Sequence, residues 1–339
     1  MLNCLIFGAS YGSLVAAKLI EANHNVKIFC SEKELELIQK FNLKVTINSI
    51  SKKQYKFEYK LNDQFQVYSS YDFSLNDIDI VFFAMQEHHF NSENLVKILN
   101  DISKKKIPIV SILNLLPYTY LSKFKKVKVD KIQNVYKSLK IWDKINTKFF
   151  TTTSPDPQII FPDREYDNSM IVTLPSNFKV AKFEDDKSNQ ILDKLSHSIR
   201  SLKHPIQIKI YDTSFVPLAK WPMLICGNYR CVKKENFLPI CDVVNSDLLL
   251  SEKIYNQVIS LCKKIGAEND IFVPFNHYQK RSKMLTGPSS VAKALKNGSN
   301  TVERTDILIS QIADQFKIKI DGLDEIVNNI NNWIKRNTS

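Results

Sequence analysis

Apolar residues follow two rhythms along this chain, and the change between them divides it. Up to about residue 210, short continuous apolar runs alternate with stretches whose apolar residues recur three and four apart. The first pattern is that of strands and the second that of amphipathic helices. Leu2–Phe7 is an apolar run, LVAAKLIEANH has helical spacing, Asn25–Phe29 is a second strand, and SEKELELIQKF a second helix. KVTINSI and YKFEYKL alternate and predict a short antiparallel excursion. DIDIVFFAM (Asp77–Met85) and IPIVSIL are continuous apolar runs around a helix from Ser92 to Lys104, the form taken by parallel strands buried on both faces. TTTSPDPQIIFP reads as loop with edge strands, IVTLP as a strand, Lys187–Leu202 as a helix, and IQIKI (Ile206–Ile210) as a closing strand. From Asp212 onward the pattern is helical only, with Gly266 as a stop signal. The expected architecture is α/β: a parallel-sheet domain over residues 1–210 and an all-helical domain over 211–339.

One stretch breaks its own pattern. YDTSFVPLAKWPMLICGNYRCV (Tyr211–Val232) places Lys220 in an apolar run, with Pro222 beside it and Asn228 two turns on. Lysine is rarely buried without a purpose, and proline breaks the helical ladder next to it. In a regular helix residues 220 and 228 differ by about 80° around the axis and about 12 Å along it. A kink at Pro222, freeing the carbonyl of Leu218, would help both side chains reach one small ligand.

A chain of 339 residues with 44% hydrophobic and 24% charged content is long enough for two packed domains. No apolar run approaches the roughly 20 residues of a membrane helix, and the first residues lack a basic segment, so the expected location is cytoplasmic. The net charge of +12 comes mostly from lysine. Its runs Lys104–Lys106 and Lys123–Lys131 carry no nucleic-acid motif, and read as solvated faces that would suit an anionic cofactor and substrate. The six cysteines form no CxxC pair and read as reduced small hydrophobes. His88 and His89 are adjacent and have no third ligand at metal spacing, so no metal is expected.

The first strand runs into Gly8-Ala9-Ser10-Tyr11-Gly12-Ser13 and then a helix. Strand, glycine turn, helix and strand form a dinucleotide-binding unit, whose helix N-terminus offers N–H groups to a pyrophosphate. Ser10 stands at the usual second glycine, and Gly12 comes one residue early unless Ser13 takes the third place. The cofactor loop is thus Gly8, Ser10, Tyr11, Gly12 and Ser13. After the second strand, Ser31 and Lys33 could hold a 2′-phosphate, which favours NADP, while Glu32 keeps NAD open. Gln86 and Asn114 follow two buried strands and are positioned to touch cofactor or substrate.

Taken in order, Gly8-x-Ser-x-Gly, Asn114 after a strand, Lys220 opening the helical part, Ser289-Ser290 and Glu303 make the chain similar to the ketopantoate (2-dehydropantoate) reductases. That resemblance implies a Rossmann domain, a helical domain like that of 6-phosphogluconate dehydrogenase, and reduction of a 2-keto acid by NADPH. It assigns catalysis to Lys220 and Glu303, and substrate contacts to Asn114, Asn228 and the Ser289–Ser290 pair. Gln86 stands where the family has a cofactor-contacting lysine, Leu224 where it has an asparagine, and Ala294 where it has an aspartate. The implied partner is a small anionic keto acid, and the helical domain offers a surface for a homodimer.

Reducing a ketone leaves charge on its oxygen, so a cation must meet that oxygen and a proton must follow. A buried lysine can do both. An opine or other hydroxy-acid dehydrogenase, or a non-catalytic nucleotide-binding regulator, would share much of this pattern.

Overall fold

The computed structural model describes residues 1–49, 53–154, 156–162 and 167–338. Ile50 and Pro155, inside two of the segments read above, lie outside the described residues. The chain forms two compact units. One comprises Met1–Met85, His89–Leu113 and Lys140–Ser214; the other comprises Gln86–His88, Asn114–Leu139 and Phe215–Ser339. Two internal segments, Gln86–His88 and Asn114–Leu139, thus group with the unit that contains Phe215–Ser339. Those segments follow two of the buried strands and hydrogen-bond to residues of the helical unit, Glu87 to Ser138 and Leu115 to Glu303 among them.

Among the described residues, twelve strands belong to the first unit. In chain order they are β1 (Asn3–Phe7), β2 (Asn25–Phe29), β3 (Leu43–Asn48), β4 (Gln54–Tyr59), β5 (Phe65–Tyr68), β6 (Ile80–Phe83), β7 (Ile109–Ser111), β8 (Phe150–Ser154), β9 (Gln158–Ile160), β10 (Ser169–Leu174), β11 (Phe178–Ala181) and β12 (Ile208–Tyr211). Eight form one sheet in the order β12-β11-β8-β7-β6-β1-β2-β5. Strands β5 to β8 run parallel to one another through β2 and β1, and only β8 pairs β11 antiparallel. The remaining four form a second sheet, β4-β3-β10-β9, which contains the expected β3–β4 hairpin and the strand read as IVTLP.

The stretch read as loop with edge strands divides: β9 is an edge strand of the second sheet, whereas β8 is interior to the first. Strand β8 is buried along its whole length between β7 and β11, although it reads FTTTS. Its hydroxyls make burial tolerable: Thr151 Oγ1 donates to the Ala181 carbonyl at 2.6 Å and Thr153 Oγ1 to that of Lys179 at 2.8 Å. Strands β5 and β11 carry mixed sequences, FQVY and FKVA, and were not distinguishable from loop by pattern.

The helix Gly12–Glu21 packs against strands of both sheets, β2 and β3, and shares one core with them. Every residue from Gly12 to Ile20 is buried. That includes Lys18, only 2% exposed, whose Nζ donates to the Pro205 carbonyl at 3.0 Å. Desolvation pulls its pKa down to about 8, with Glu21 pulling weakly the other way.

In the second unit, the helix Leu248–Ile265 is the central element. Asp247 caps it by accepting the Leu250 N–H at 3.0 Å, and Gly266 ends it at φ +135, with the Phe215 ring 2.7 Å from where a β-carbon would sit. The Lys220 segment and the helices Ile240–Asn245 and Phe275–Ser282 pack around it. Helices Ser290–Lys296, Thr305–Gln315 and Leu323–Thr338 complete the unit. Among the described residues no helix is long and apolar enough to cross a membrane.

The depressed pKa of Lys18 carries a prediction. The unfolded chain binds this proton more tightly than the folded one, so stability rises as pH climbs from about 8 toward the ordinary lysine value of ~10.4. Below that window the buried ammonium costs on the order of 3 kcal/mol. Lys18→Met should leave urea stability at pH 7 unchanged or higher, and should remove the alkaline rise seen in the parent protein. A large loss at pH 7 would contradict this account.

Candidate active site

The glycine turn after β1 is built for close approach. Gly8 has φ +96, and a β-carbon there would lie 2.9 Å from Met85 Cβ and 3.0 Å from the Ala84 carbonyl. Its N–H donates to the Phe29 carbonyl at 2.8 Å, joining the ends of β1 and β2. The helix starts at Gly12, where a β-carbon would meet Ile6 Cγ2 at 2.7 Å. Close helix–strand packing, the usual task of the third motif glycine, is therefore done by Gly12, and the turn is one residue short. Ser13 lies inside the helix and its hydroxyl bonds back to the Ala9 carbonyl. Ser10 is half-buried in the turn. Such a bare turn leading to a helix N-terminus fits a dinucleotide pyrophosphate.

Not every expected cofactor residue has its side chain available there. Tyr11 donates its hydroxyl to the Pro157 carbonyl at 3.0 Å and sets its ring edge-on to Phe178 at 6.1 Å, so it serves the packing of its own unit. Ser31 caps the helix Glu32–Phe41, and Lys33 is exposed on it. Gln86 is exposed.

In the second unit, two sequence candidates, Lys220 and Asn228, sit on irregular backbone. Lys220 ends a 3₁₀ turn over Val216–Lys220 and is only 6% exposed. A short α-turn, Trp221–Met223, leads into wide π-turns over Leu224–Tyr229. The Leu218 carbonyl is not freed by Pro222, since it accepts the Trp221 N–H. Change of helical pitch, rather than a proline kink, sets where Asn228 lies relative to Lys220, so the spacing of a regular helix does not apply. Asn228 is half-buried, and its carbonyl accepts the Ser289 hydroxyl at 2.6 Å. Ser289 is the N-cap of the helix Ser290–Lys296, also accepting the Ala292 N–H at 3.2 Å. Its hydroxyl is committed to structure, and Ser290 is exposed at the first helical position.

Glu303 has the most distinctive surroundings. It is buried, and its two carboxylate oxygens accept the N–H groups of Glu87 at 3.3 Å and Leu115 at 3.4 Å. Burial raises its pKa to about 7, against the lowering effect of the Leu115 and Glu87 N–H bonds; the nearby Glu87 carboxylate raises it further, and an N–H bond from Asn114 lowers it. The Asn114 Oδ1 is buried without a hydrogen-bond partner. A buried carboxyl that releases its proton near pH 7 is suited to proton transfer.

Several supporting residues were missed by sequence reading. Glu87 accepts the N–H groups of Lys137 at 3.1 Å and Ser138 at 2.8 Å, while Ser138 Oγ donates to the Glu87 carbonyl at 2.8 Å. Tyr229 donates to the Glu303 carbonyl at 2.7 Å and accepts the Thr305 N–H at 3.1 Å, pinning the backbone on both sides of Arg304. An acid just past a buried strand was the available signal for Glu87. Nothing local marks Ser138 or Tyr229. Among the described residues no His, Cys, Asp and Glu cluster could hold a metal ion.

Comparison with known proteins bears on the same residues. Residues 5–116, from β1 to just past Asn114, match the family model described as Ketopantoate reductase PanE/ApbA. The match covers less than half of the chain. No curated protein matches the sequence. Beyond the matched residues, the likeness is one of fold. A PanE/ApbA family ketopantoate reductase from Ralstonia eutropha JMP134 superposes with a TM-score of 0.69 at 12% identity, covering 100% of both chains. D-mandelate dehydrogenase, solved with NADH and anilino(oxo)acetate, gives 0.67 at 14% identity, again over 100% of both. A dimeric ketopantoate reductase from Staphylococcus aureus gives 0.61 at 9% identity, covering 99% of this chain and 100% of that one.

The raised pKa of Glu303 predicts a pH-dependent stability. The folded state holds this proton more tightly than the unfolded chain, so the contribution is full below pH ~4.3 and is lost as pH rises through about 7. Relative to Glu303→Gln, which stays neutral, wild-type protein should lose on the order of 3 kcal/mol between pH 5 and 8. Urea titrations of both proteins at the two pH values check this; parallel curves would contradict it.

Proposed function

We propose that this chain is an NAD(P)-dependent oxidoreductase that reduces a 2-keto acid of the 2-dehydropantoate class to the 2-hydroxy acid. The observation that carries the reading is the Glu303 carboxyl seated on the N–H groups of Glu87 and Leu115. Those groups lie in the two segments that follow β6 and β7, within the residues that match the ketopantoate reductase family model. The glycine turn supports a bound dinucleotide, because at Gly8 the backbone takes a left-handed φ of +96 against Met85 and Ala84, leaving a turn without a side chain before the helix N-terminus. Gly8, Ser10 and Gly12 with the following helix N-terminus would hold it.

When bound, the dinucleotide supplies hydride to the substrate carbonyl carbon. Lys220 is assigned as the general acid: its ammonium meets the developing oxyanion, stabilises it and delivers the proton. Glu303, with its pKa near 7, orients that cation and accepts or returns a proton. Asn114 and Asn228 supply neutral hydrogen bonds to the substrate carboxylate or hydroxyl, whereas Ser289 acts only through the backbone it caps. Buried Leu224, which stands at a family asparagine, removes one polar contact and favours a 2-keto acid with an apolar side chain. The D-mandelate dehydrogenase complex supports a substrate range of this kind, and the dimeric enzyme supports a homodimer.

Oxidation of NADH and NADPH against a panel of ketopantoate, phenylglyoxylate and branched aliphatic 2-keto acids tests the proposal. Saturable turnover of at least one is expected, and Lys220→Ala should lower kcat by about 10²-fold or more while dinucleotide affinity stays unchanged. An active enzyme indifferent to Lys220→Ala would refute the assigned acid. Dinucleotide binding with no turnover of any 2-keto acid would point instead to a regulatory role.

A further inference from the structure

We propose that Glu34 makes the dinucleotide site selective for NAD(H) over NADP(H). The inference rests on the reading that the first unit binds a nicotinamide dinucleotide, and it reverses the preference that Ser31 and Lys33 suggest from sequence.

The Gly8 N–H bonds the carbonyl of Phe29, the last residue of β2, so the end of β2 is tied to the glycine turn. Ser31 lies two residues further on and opens the helix Glu32–Phe41 with a closed capping box. The Glu34 N–H donates to Ser31 Oγ at 3.3 Å, while Glu34 Oε2 accepts the Ser31 N–H at 3.3 Å and the Ser31 hydroxyl at 3.1 Å. The carboxylate is thereby folded back to the tip of β2. That is where NAD-binding folds place an acid to accept the ribose hydroxyls. A carboxylate has about four acceptor sites, so the bonds from Ser31 leave capacity for a ribose diol.

The same arrangement disfavours a 2′-phosphate. The Ser31 hydroxyl gives its proton to Glu34 and cannot donate to phosphate while the box is closed. Glu34 brings negative charge to within a hydrogen bond of the strand tip, and the helix N-terminus favours keeping it there. Against this stand two basic groups. Lys33 is exposed, where solvent weakens its pull. His89 is exposed, and desolvation lowers its pKa while the charge of Glu34 raises it.

Direct titration of NADH and NADPH, followed by calorimetry, tests the assignment with wild-type protein, Glu34→Gln and Lys33→Ala. Glutamine can replace glutamate in a capping box, so Glu34→Gln removes the charge and keeps the helix start. Wild-type protein should bind NADH at least roughly tenfold more tightly than NADPH, and Glu34→Gln should erase most of that ratio by strengthening NADPH. Lys33→Ala should leave the preference for NADH in place, with an unchanged melting temperature for both variants. Equal or tighter NADPH binding by the wild type, or an unchanged ratio in Glu34→Gln, would overturn the role of Glu34 and leave dinucleotide binding intact. Failure to bind either dinucleotide would overturn both readings.

Discussion

The first unit depends on the close approach of one helix to one strand. With no side chain at Gly12, the helix Gly12–Glu21 reaches Ile6 of β1 at a distance no β-carbon could share. This brings the helix N-terminus to the end of β1, next to the bare turn at Gly8. It also lets the helix be covered on its other side by the second sheet, so that both sheets and this helix share a core. Lys18 is enclosed on this helix, where the Pro205 carbonyl receives its Nζ. The same tightly packed helix thus carries both the bare N-terminus beside the glycine turn and an electrostatic cost in its middle.

Buried charges in the second unit are treated in two different ways within four residues. Asp306 is fully buried and takes two bonds from Arg304, at 3.0 and 2.7 Å. This short-range guanidinium pair compensates the lost hydration. Glu303 is met instead by backbone N–H groups of Glu87, Leu115 and Asn114, with a second carboxylate nearby. N–H dipoles compensate less than a full cation does, and Glu303 holds its proton up to about pH 7. Tyr229 fixes the backbone between these two acids from both sides. The contrast separates a structural acid from one suited to exchange a proton.

Much of this was legible in the residues. Continuous apolar runs such as IVFF and helical spacing such as SEKELELIQKF marked most of the parallel unit, because burial on two faces or one leaves a direct trace in sequence. Strand β8 was misplaced because its threonines look solvent-loving until backbone carbonyls are known to receive their hydroxyls. Lys220, Asn114 and Glu303 could be named as unusual residues at suggestive positions. Ser289 could equally be read as a helix cap, and its hydroxyl is used for capping.

The sequence by itself determined most of the continuous apolar strands and the amphipathic helices, where the glycine turn lies, and that a lysine sits in an apolar run. These properties depend on near neighbours along the chain. Only tertiary structure decided that Gly12 does the packing of the motif's third glycine, that π-turns separate Lys220 from Asn228, and that Glu303 meets Glu87 and Leu115. Those outcomes depend on groups many residues apart in sequence, and on which buried polar atoms find partners once the chain has closed around them.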